Sequence, residues 1–117
     1  MSALALRSHY WGAFVVVVAS GALNAEGAKR LGSHLRRLQR GSDVLVDLWD
    51  VTSCDSAGVA VLEAAKRRAD AAGWGFAVVS DPAGPCIEAL EVAGIASAIP
   101  TFSDRHDARA ALASPPS

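Results

Sequence analysis

The spacing of apolar residues changes twice in the first third of the chain, and each change marks a new element. Residues 14–19, "FVVVVA", are rich in β-branched valine and predict a strand. Residues 3–8 predict another strand, joined to it through Gly12 as an antiparallel hairpin. Apolar residues three and four apart then predict an amphipathic helix that begins at Asn24, a natural N-cap, and ends near Gly41.

The rest of the chain alternates between strand and helix patterns. Strands are predicted at residues 43–49, 74–80 and 96–102, and helices at residues 56–73, 82–94 and 103–113. The strand at 43–49 has apolar residues on both faces, which indicates a central position in a sheet. Ser103 or Asp104 is the expected cap of the last helix.

The predicted element order is therefore ββαβαβαβα, an α/β fold. Each strand-helix-strand unit is long enough for a parallel crossover connection. We expect one domain over residues 1–113, with helices packed on a mixed, mostly parallel sheet, and a disordered tail at residues 114–117, "SPPS".

Composition and charge narrow the class of protein. Apolar residues make up 51% of the 117 residues and charged residues 20%, which is typical of a globular domain. A net charge of −1 indicates no nucleic-acid partner, although Arg30, Arg36, Arg37 and Arg40 cluster on the first helix. The apolar run at residues 13–19 is far shorter than the roughly 20 residues of a membrane span, and no signal-peptide pattern precedes it. We expect a cytoplasmic protein.

Motifs for catalysis and for cofactors are missing from the sequence. The three histidines have no metal-ligand spacing, and no glycine-rich phosphate loop is present, so we expect no metal and no cofactor. The segment around Ser56 differs from a serine-hydrolase elbow, because Cys54 stands where that motif has glycine. No histidine lies where chain order would supply a base, which disfavours a hydrolase.

Ser56, at the expected start of the second helix, has two open interpretations. Either Asp55 or Ser56 is the helix N-cap, since a side-chain oxygen there accepts a backbone N–H. Alternatively the Ser56 hydroxyl is a phosphorylation site, because a helix N-terminus tolerates added negative charge. The two roles are compatible.

Three segments together resemble the STAS domain of bacterial anti-sigma-factor antagonists. They are "VLVDLWDVTSCDSAGVAVLEAA", "VVVVASGALNAEGAKRL" and "ALEVAGIASAIPTFSDRHDARAAL", and they cover almost the whole chain in the family's order. In the D-S-x-G motif, Asp55 and Gly58 match, and the family's phosphorylatable serine corresponds to Ser56. Two positions depart from the pattern: Ala57 replaces a second hydroxyl residue, and Asn24 replaces a common aspartate.

The resemblance implies a partner switch without catalysis. The unphosphorylated protein is expected to bind an anti-sigma factor, in this family often a serine kinase, and so to free a sigma factor. Phosphorylation of Ser56 by that kinase would break the complex, and a phosphatase would restore it. Gly58 would let the partner's backbone approach closely. We expect a monomer or weak dimer whose docking face includes Asn24, Ser53, Asp55, Ser56, Ala57, Gly58 and Val61.

Two alternatives remain open for this face. A STAS protein can be a permanent accessory subunit, for example of a lipid transporter ATPase. The departures from the antagonist pattern at Asn24 and Ala57 slightly favour that role. An enzyme with Ser56 as nucleophile is the third hypothesis, and it lacks a base. Separately, Cys54 and Cys86 are expected at the same rim of the sheet, either as two buried thiols or as a redox pair.

Overall fold

Five strands form one sheet within residues 3–113, the part of the chain that this computed structural model describes. They are β1 (Ala5–Trp11), β2 (Phe14–Leu23), β3 (Asp43–Cys54), β4 (Phe76–Val79) and β5 (Thr101–Phe102), and they lie side by side in that order. β1 is antiparallel to β2, and all later pairs are parallel. The predicted α/β fold and mixed sheet are confirmed, while the tail expected at residues 114–117 lies outside the described residues.

Helices cover the two faces of the sheet unequally. They are α1 (Ala25–Leu38), α2 (Ser56–Ala72), α3 (Pro85–Val92) and α4 (Arg105–Ala113). The larger core lies between the sheet and α1, α2 and α3, with Leu35, Leu62 and Leu90 fully buried in it. A smaller core on the other face is covered by α4 through Ala108. No helix in residues 3–113 is long and apolar enough to cross a membrane.

β3 is longer than its apolar pattern predicts. The expected strand ended at Trp49, whereas the parallel pairing with β2 continues to Cys54, opposite Leu23. Trp49, Thr52 and Ser53 are exposed, and Val51 is the one buried residue between positions 49 and 54. Backbone hydrogen bonds to β2 extend β3 past two register shifts. The periodicity of the side chains gives no information on such pairing.

Most of the strand expected at residues 96–102 does not form. Ala96–Ala98 form a 3₁₀ helix, and only Thr101–Phe102 pair with β4. Pro100 has no backbone N–H to donate to a strand, but its carbonyl accepts a hydrogen bond from the Val78 N–H at 2.9 Å. The last helix begins as predicted, with Asp104 accepting the N–H groups of His106 and Asp107.

A partly buried ion pair attaches α4 to the sheet. Asp47 on β3 is buried, and its Oδ2 accepts a hydrogen bond from Arg105 Nε at 2.8 Å, with Arg105 Nη2 2.6 Å from the same oxygen. Its other oxygen accepts the Trp49 backbone N–H at 2.9 Å. The arginine therefore offsets the cost of burying a carboxylate in the middle of a strand.

Replacing this arginine should cost more stability than replacing an exposed one. Arg105→Ala leaves the Asp47 carboxylate buried without its cation, and we expect the free energy of unfolding to fall by about 2 kcal/mol in urea titrations. Arg67→Ala is the control, because Arg67 and Glu63 form an exposed pair and the loss should stay within about 0.5 kcal/mol. Equal losses in the two variants would contradict the assigned role of Arg105.

Candidate functional site

Two strand-to-helix turns lie side by side at the carboxyl edge of the sheet. Leu23 and Cys54, the last residues of β2 and β3, are paired in the parallel ladder. Each is followed by one extended residue, Asn24 or Asp55, and then directly by a helix. The Asp55 backbone N–H donates to the Leu23 carbonyl at 3.2 Å, which joins the two turns.

The residue after each strand caps the helix that follows. Asn24 Oδ1 accepts the Gly27 N–H at 2.9 Å, as the sequence predicts. Asp55 Oδ1 accepts the N–H groups of Ala57 at 3.0 Å and Gly58 at 3.2 Å. Asp55 is thus the N-cap of α2, and the alternative of Ser56 as the cap is excluded. Ser56 is the first residue of the helix, and its side chain is exposed.

A groove of about 630 Å³ separates the first turn of α2 from α3. Ser53, Asp55 and Ser56 line one side, and the α3 side is largely apolar, with Ala89 and Val92 facing the opening. Val92 is 84% exposed, the most exposed of the large apolar side chains in residues 3–113. The sequence-based prediction did not include this apolar side of the groove, although an apolar residue on the outer face of a helix indicates exposed apolar surface.

A second groove, of about 570 Å³, lies on the other side of α2, towards α1. Ala57 and Val61 line it together with small residues of α1, among them Gly32, and the cations Lys29 and Arg36. The predicted docking residues are therefore divided. Ser53, Asp55 and Ser56 face the α3 groove, whereas Ala57 and Val61 face the α1 groove.

Gly58 has a different role from the one expected of it. It is buried, and a Cβ atom added there would lie 2.8 Å from Leu23 Cγ and 2.9 Å from Cys54 Sγ. The missing side chain therefore lets α2 pack closely on the ends of β2 and β3. The expectation that Gly58 accommodates a partner's backbone is wrong, because the glycine faces the interior of the protein.

The charged side chains that line the α3 groove beside Ser56 are acidic. Within the described part of the chain, the α3 groove is lined by the carboxylates of Asp55 and Glu88 and by no lysine, arginine or histidine. His34 lines a separate surface pocket beside α1, and His106 packs edge-on against Trp11 on the other face of the sheet. A negative group attached to Ser56 would have no neutralising cation among the residues that line this groove.

Cys54 is the last residue of β3, and Cys86 lies in the first turn of α3. Cys54 is half-buried and lines the α3 groove, whereas Cys86, in the first turn of α3, is completely buried. A hydrogen bond from the Cys86 thiol lowers the pKa of Cys54, against the opposing effects of burial and of Asp55. The same hydrogen bond, burial and the charge on Cys54 raise the pKa of Cys86.

Comparison with known proteins places this geometry in a recurrent fold. An anti-sigma factor antagonist from Mycobacterium paratuberculosis is 20% identical over 96% of both chains, with a TM-score of 0.81. SpoIIAA, an anti-sigma factor antagonist, is 13% identical in its unphosphorylated form, covering 92% of this chain and 96% of that chain at a TM-score of 0.74. The phosphorylated form of Bacillus SpoIIAA is 13% identical over 92% and 99% of the two chains, with a TM-score of 0.69.

Sequence comparison finds a family but no individual relative. The family model described as "Mlab, STAS domain" matches residues 12–101. No curated protein matches the chain by sequence.

Substitutions of Asp55 and Ser56 should show which of the two side chains stabilises α2 as its cap. Asp55→Ala removes the acceptor of two backbone N–H groups, and we expect it to lower the free energy of unfolding by about 1 kcal/mol in urea titrations. Ser56→Ala is the matched control, and its effect should be within about 0.5 kcal/mol. A larger loss in Ser56→Ala than in Asp55→Ala would show that the serine is the cap.

Proposed function

This chain belongs to the STAS domain family, and we propose that it binds an anti-sigma factor through the first turn of α2 and is switched by phosphorylation of Ser56. The observation that carries the proposal is the division of roles between Asp55, which caps the helix, and Ser56, whose exposed hydroxyl follows it. Similarity to structures of anti-sigma factor antagonists, one of them phosphorylated, supports the same role.

The proposed docking face follows from the shape of the surface. The first turn of α2 lies between the α1 and α3 grooves, so a partner seated on it can place side chains on both sides. Val92 and Ala89 offer apolar surface on the α3 side, and Val61 offers it on the α1 side. Exposed apolar area at a concave surface favours a protein partner. Asn24, Ser53, Asp55, Ser56 and Ala57 complete the proposed face.

Phosphorylation would change this face and leave the fold intact. The Ala57 and Gly58 N–H groups already donate to Asp55, so the helix N-terminus would not be free to bind the phosphate through them. The groove beside Ser56 supplies carboxylates and no cation from its lining residues. A phosphate of about −1.5 to −2 charges would therefore remain at the docking face, where a bound partner would have to desolvate it.

The chemistry in this proposal belongs to the partners. The anti-sigma factor would be a serine kinase that transfers phosphate to Ser56, and a phosphatase would remove it. This chain would act in the bacterial cytoplasm as a binding protein and phosphate acceptor with no catalysis of its own. While the unphosphorylated form holds the anti-sigma factor, the sigma factor is free to act.

The second candidate is a permanent accessory subunit of a transporter ATPase, bound through the same face. Two departures from the antagonist pattern favour it: Ala57 in place of a second hydroxyl residue, and Asn24 in place of a carboxylate. Asn24 retains its capping hydrogen bond, so the fold is unaffected by the lost charge. This candidate predicts binding without phosphate transfer.

A phosphorylation and binding assay distinguishes these functions. The protein is incubated with candidate anti-sigma kinases and ATP, and intact mass and complex formation are measured. We expect one phosphate on wild type and none on Ser56→Ala, which should still bind. Ser56→Asp should weaken the complex by at least about tenfold, because a carboxylate would be desolvated at the docking face.

The control carries the same charge change at a residue that lines neither groove. Ser97 is exposed in the 3₁₀ helix that precedes β5, so Ser97→Asp should bind like wild type. Binding without phosphate transfer would support the accessory subunit instead. Turnover of a chromogenic ester that disappears in Ser56→Ala would contradict both binding functions.

A further inference from the structure

One cysteine lies beside the turn that carries Ser56, and the other lies in the neighbouring helix α3. Cys54 is the last residue of β3 and directly precedes the cap Asp55, and Cys86 is the second residue of α3. The position of a Gly58 Cβ would lie 2.9 Å from Cys54 Sγ, so this sulfur points under α2 rather than away from the protein. Cys86 belongs to the buried core against which Cys54 packs, and each thiol affects the pKa of the other.

We propose that Cys54 and Cys86 form a reversible disulfide when the protein meets a peroxide, and that the bridge controls access to Ser56. The end of β3 and the first turn of α3 bring the two thiols into the same part of the core, and side chains packed there need only a local rearrangement to reach the S–S bond length of about 2.05 Å. The disulfide depends only on the cysteine geometry. Its control of Ser56 rests on the function proposed above.

The two thiols are suited to different steps. Cys54 lines the open groove, so a small oxidant can reach it, and its lowered pKa increases the fraction of reactive thiolate. Cys86 is completely buried, and its raised pKa keeps it protonated until its neighbour reacts. Cys54 is therefore the residue that meets the oxidant, and Cys86 is the resolving residue.

The reaction balances with hydrogen peroxide as the oxidant. The Cys54 thiolate attacks one peroxide oxygen, the O–O bond breaks, and hydroxide leaves, which produces a sulfenic acid on Cys54. Cys86 sulfur then attacks the Cys54 sulfur, the S–O bond breaks, and the oxygen leaves as water with the thiol proton. Overall, two thiols lose two electrons and two protons, and one peroxide becomes two water molecules.

The bridge would act on the turn that carries Ser56. It ties Cys54, two residues before Ser56, to the first turn of α3 on the far side of the groove. The disulfide would hold this turn in one conformation. Because a kinase must fit Ser56 into its active site, we expect the restricted turn to be phosphorylated more slowly in the oxidised protein. The cross-link also restricts the unfolded chain and should raise the Tm by several degrees.

The test starts with the full chain alone. Reduced protein is treated with hydrogen peroxide and analysed by intact mass under denaturing conditions and by thiol titration. We expect the loss of two hydrogens in mass and of both free thiols within one chain, with both changes reversed by dithiothreitol. Addition of oxygen without that loss, or a disulfide between two chains, would overturn the proposal.

Single-cysteine variants assign the two roles. Cys86→Ala should stop at the sulfenic acid, which dimedone labels on Cys54, and Cys54→Ser should lose most of its reactivity because Cys86 is buried. Melting curves confirm that each variant is folded. Oxidation of Cys54→Ser at the wild-type rate would contradict the assignment.

The kinase assay is then run on reduced and oxidised wild type. A lower rate of phosphate transfer to the oxidised form supports control of Ser56, and equal rates overturn it while leaving the disulfide standing. If the reduced protein accepts no phosphate, the function proposed above fails and the mass result still decides the disulfide.

Discussion

The pairing of β2 and β3 up to their last residues determines the arrangement of the candidate functional site. The Asp55 N–H donates to the Leu23 carbonyl, at the point where the parallel strands β2 and β3 end in register. Because both strands stop at paired residues, α1 and α2 begin next to each other at one edge of the sheet. The caps Asn24 and Asp55, the exposed Ser56 and the Cys54 thiol are gathered there as a consequence, although up to 32 residues of sequence separate them.

The neighbouring residues Asp55 and Ser56 have different roles at the start of α2. The aspartate supplies the oxygen that satisfies two backbone N–H groups, so the stability of α2 does not depend on the serine hydroxyl. Modification of the hydroxyl can then alter the surface without unfolding the helix. Among the described residues, none that line the α3 groove is a lysine, arginine or histidine, so an added phosphate would not be neutralised from that side.

Local chemistry explains which features the sequence predicts. Periodicity and capping residues identify the element order and the cap at Asn24, because both depend on neighbours within one turn of chain. The second half of β3 is missed because its exposed polar residues are held by pairing with β2, which is a non-local contact. The role of Gly58 could not be predicted from sequence either, since the side chains that it packs against belong to the ends of β2 and β3. Val92 was recognisable as an apolar residue on the outer face of a helix, but the groove that it lines is completed by a distant segment.

Amide NMR of the protein with and without phosphate on Ser56 tests the central claim most directly, because it observes the cap and the modified residue together. We predict chemical-shift changes confined to the turn around Ser56 and the α3 groove, with the Ala57 and Gly58 amides still protected from exchange by their bonds to Asp55. Loss of that protection, or shift changes spread through the core of the sheet, would show that the phosphate displaces the cap and would contradict the division of roles between Asp55 and Ser56.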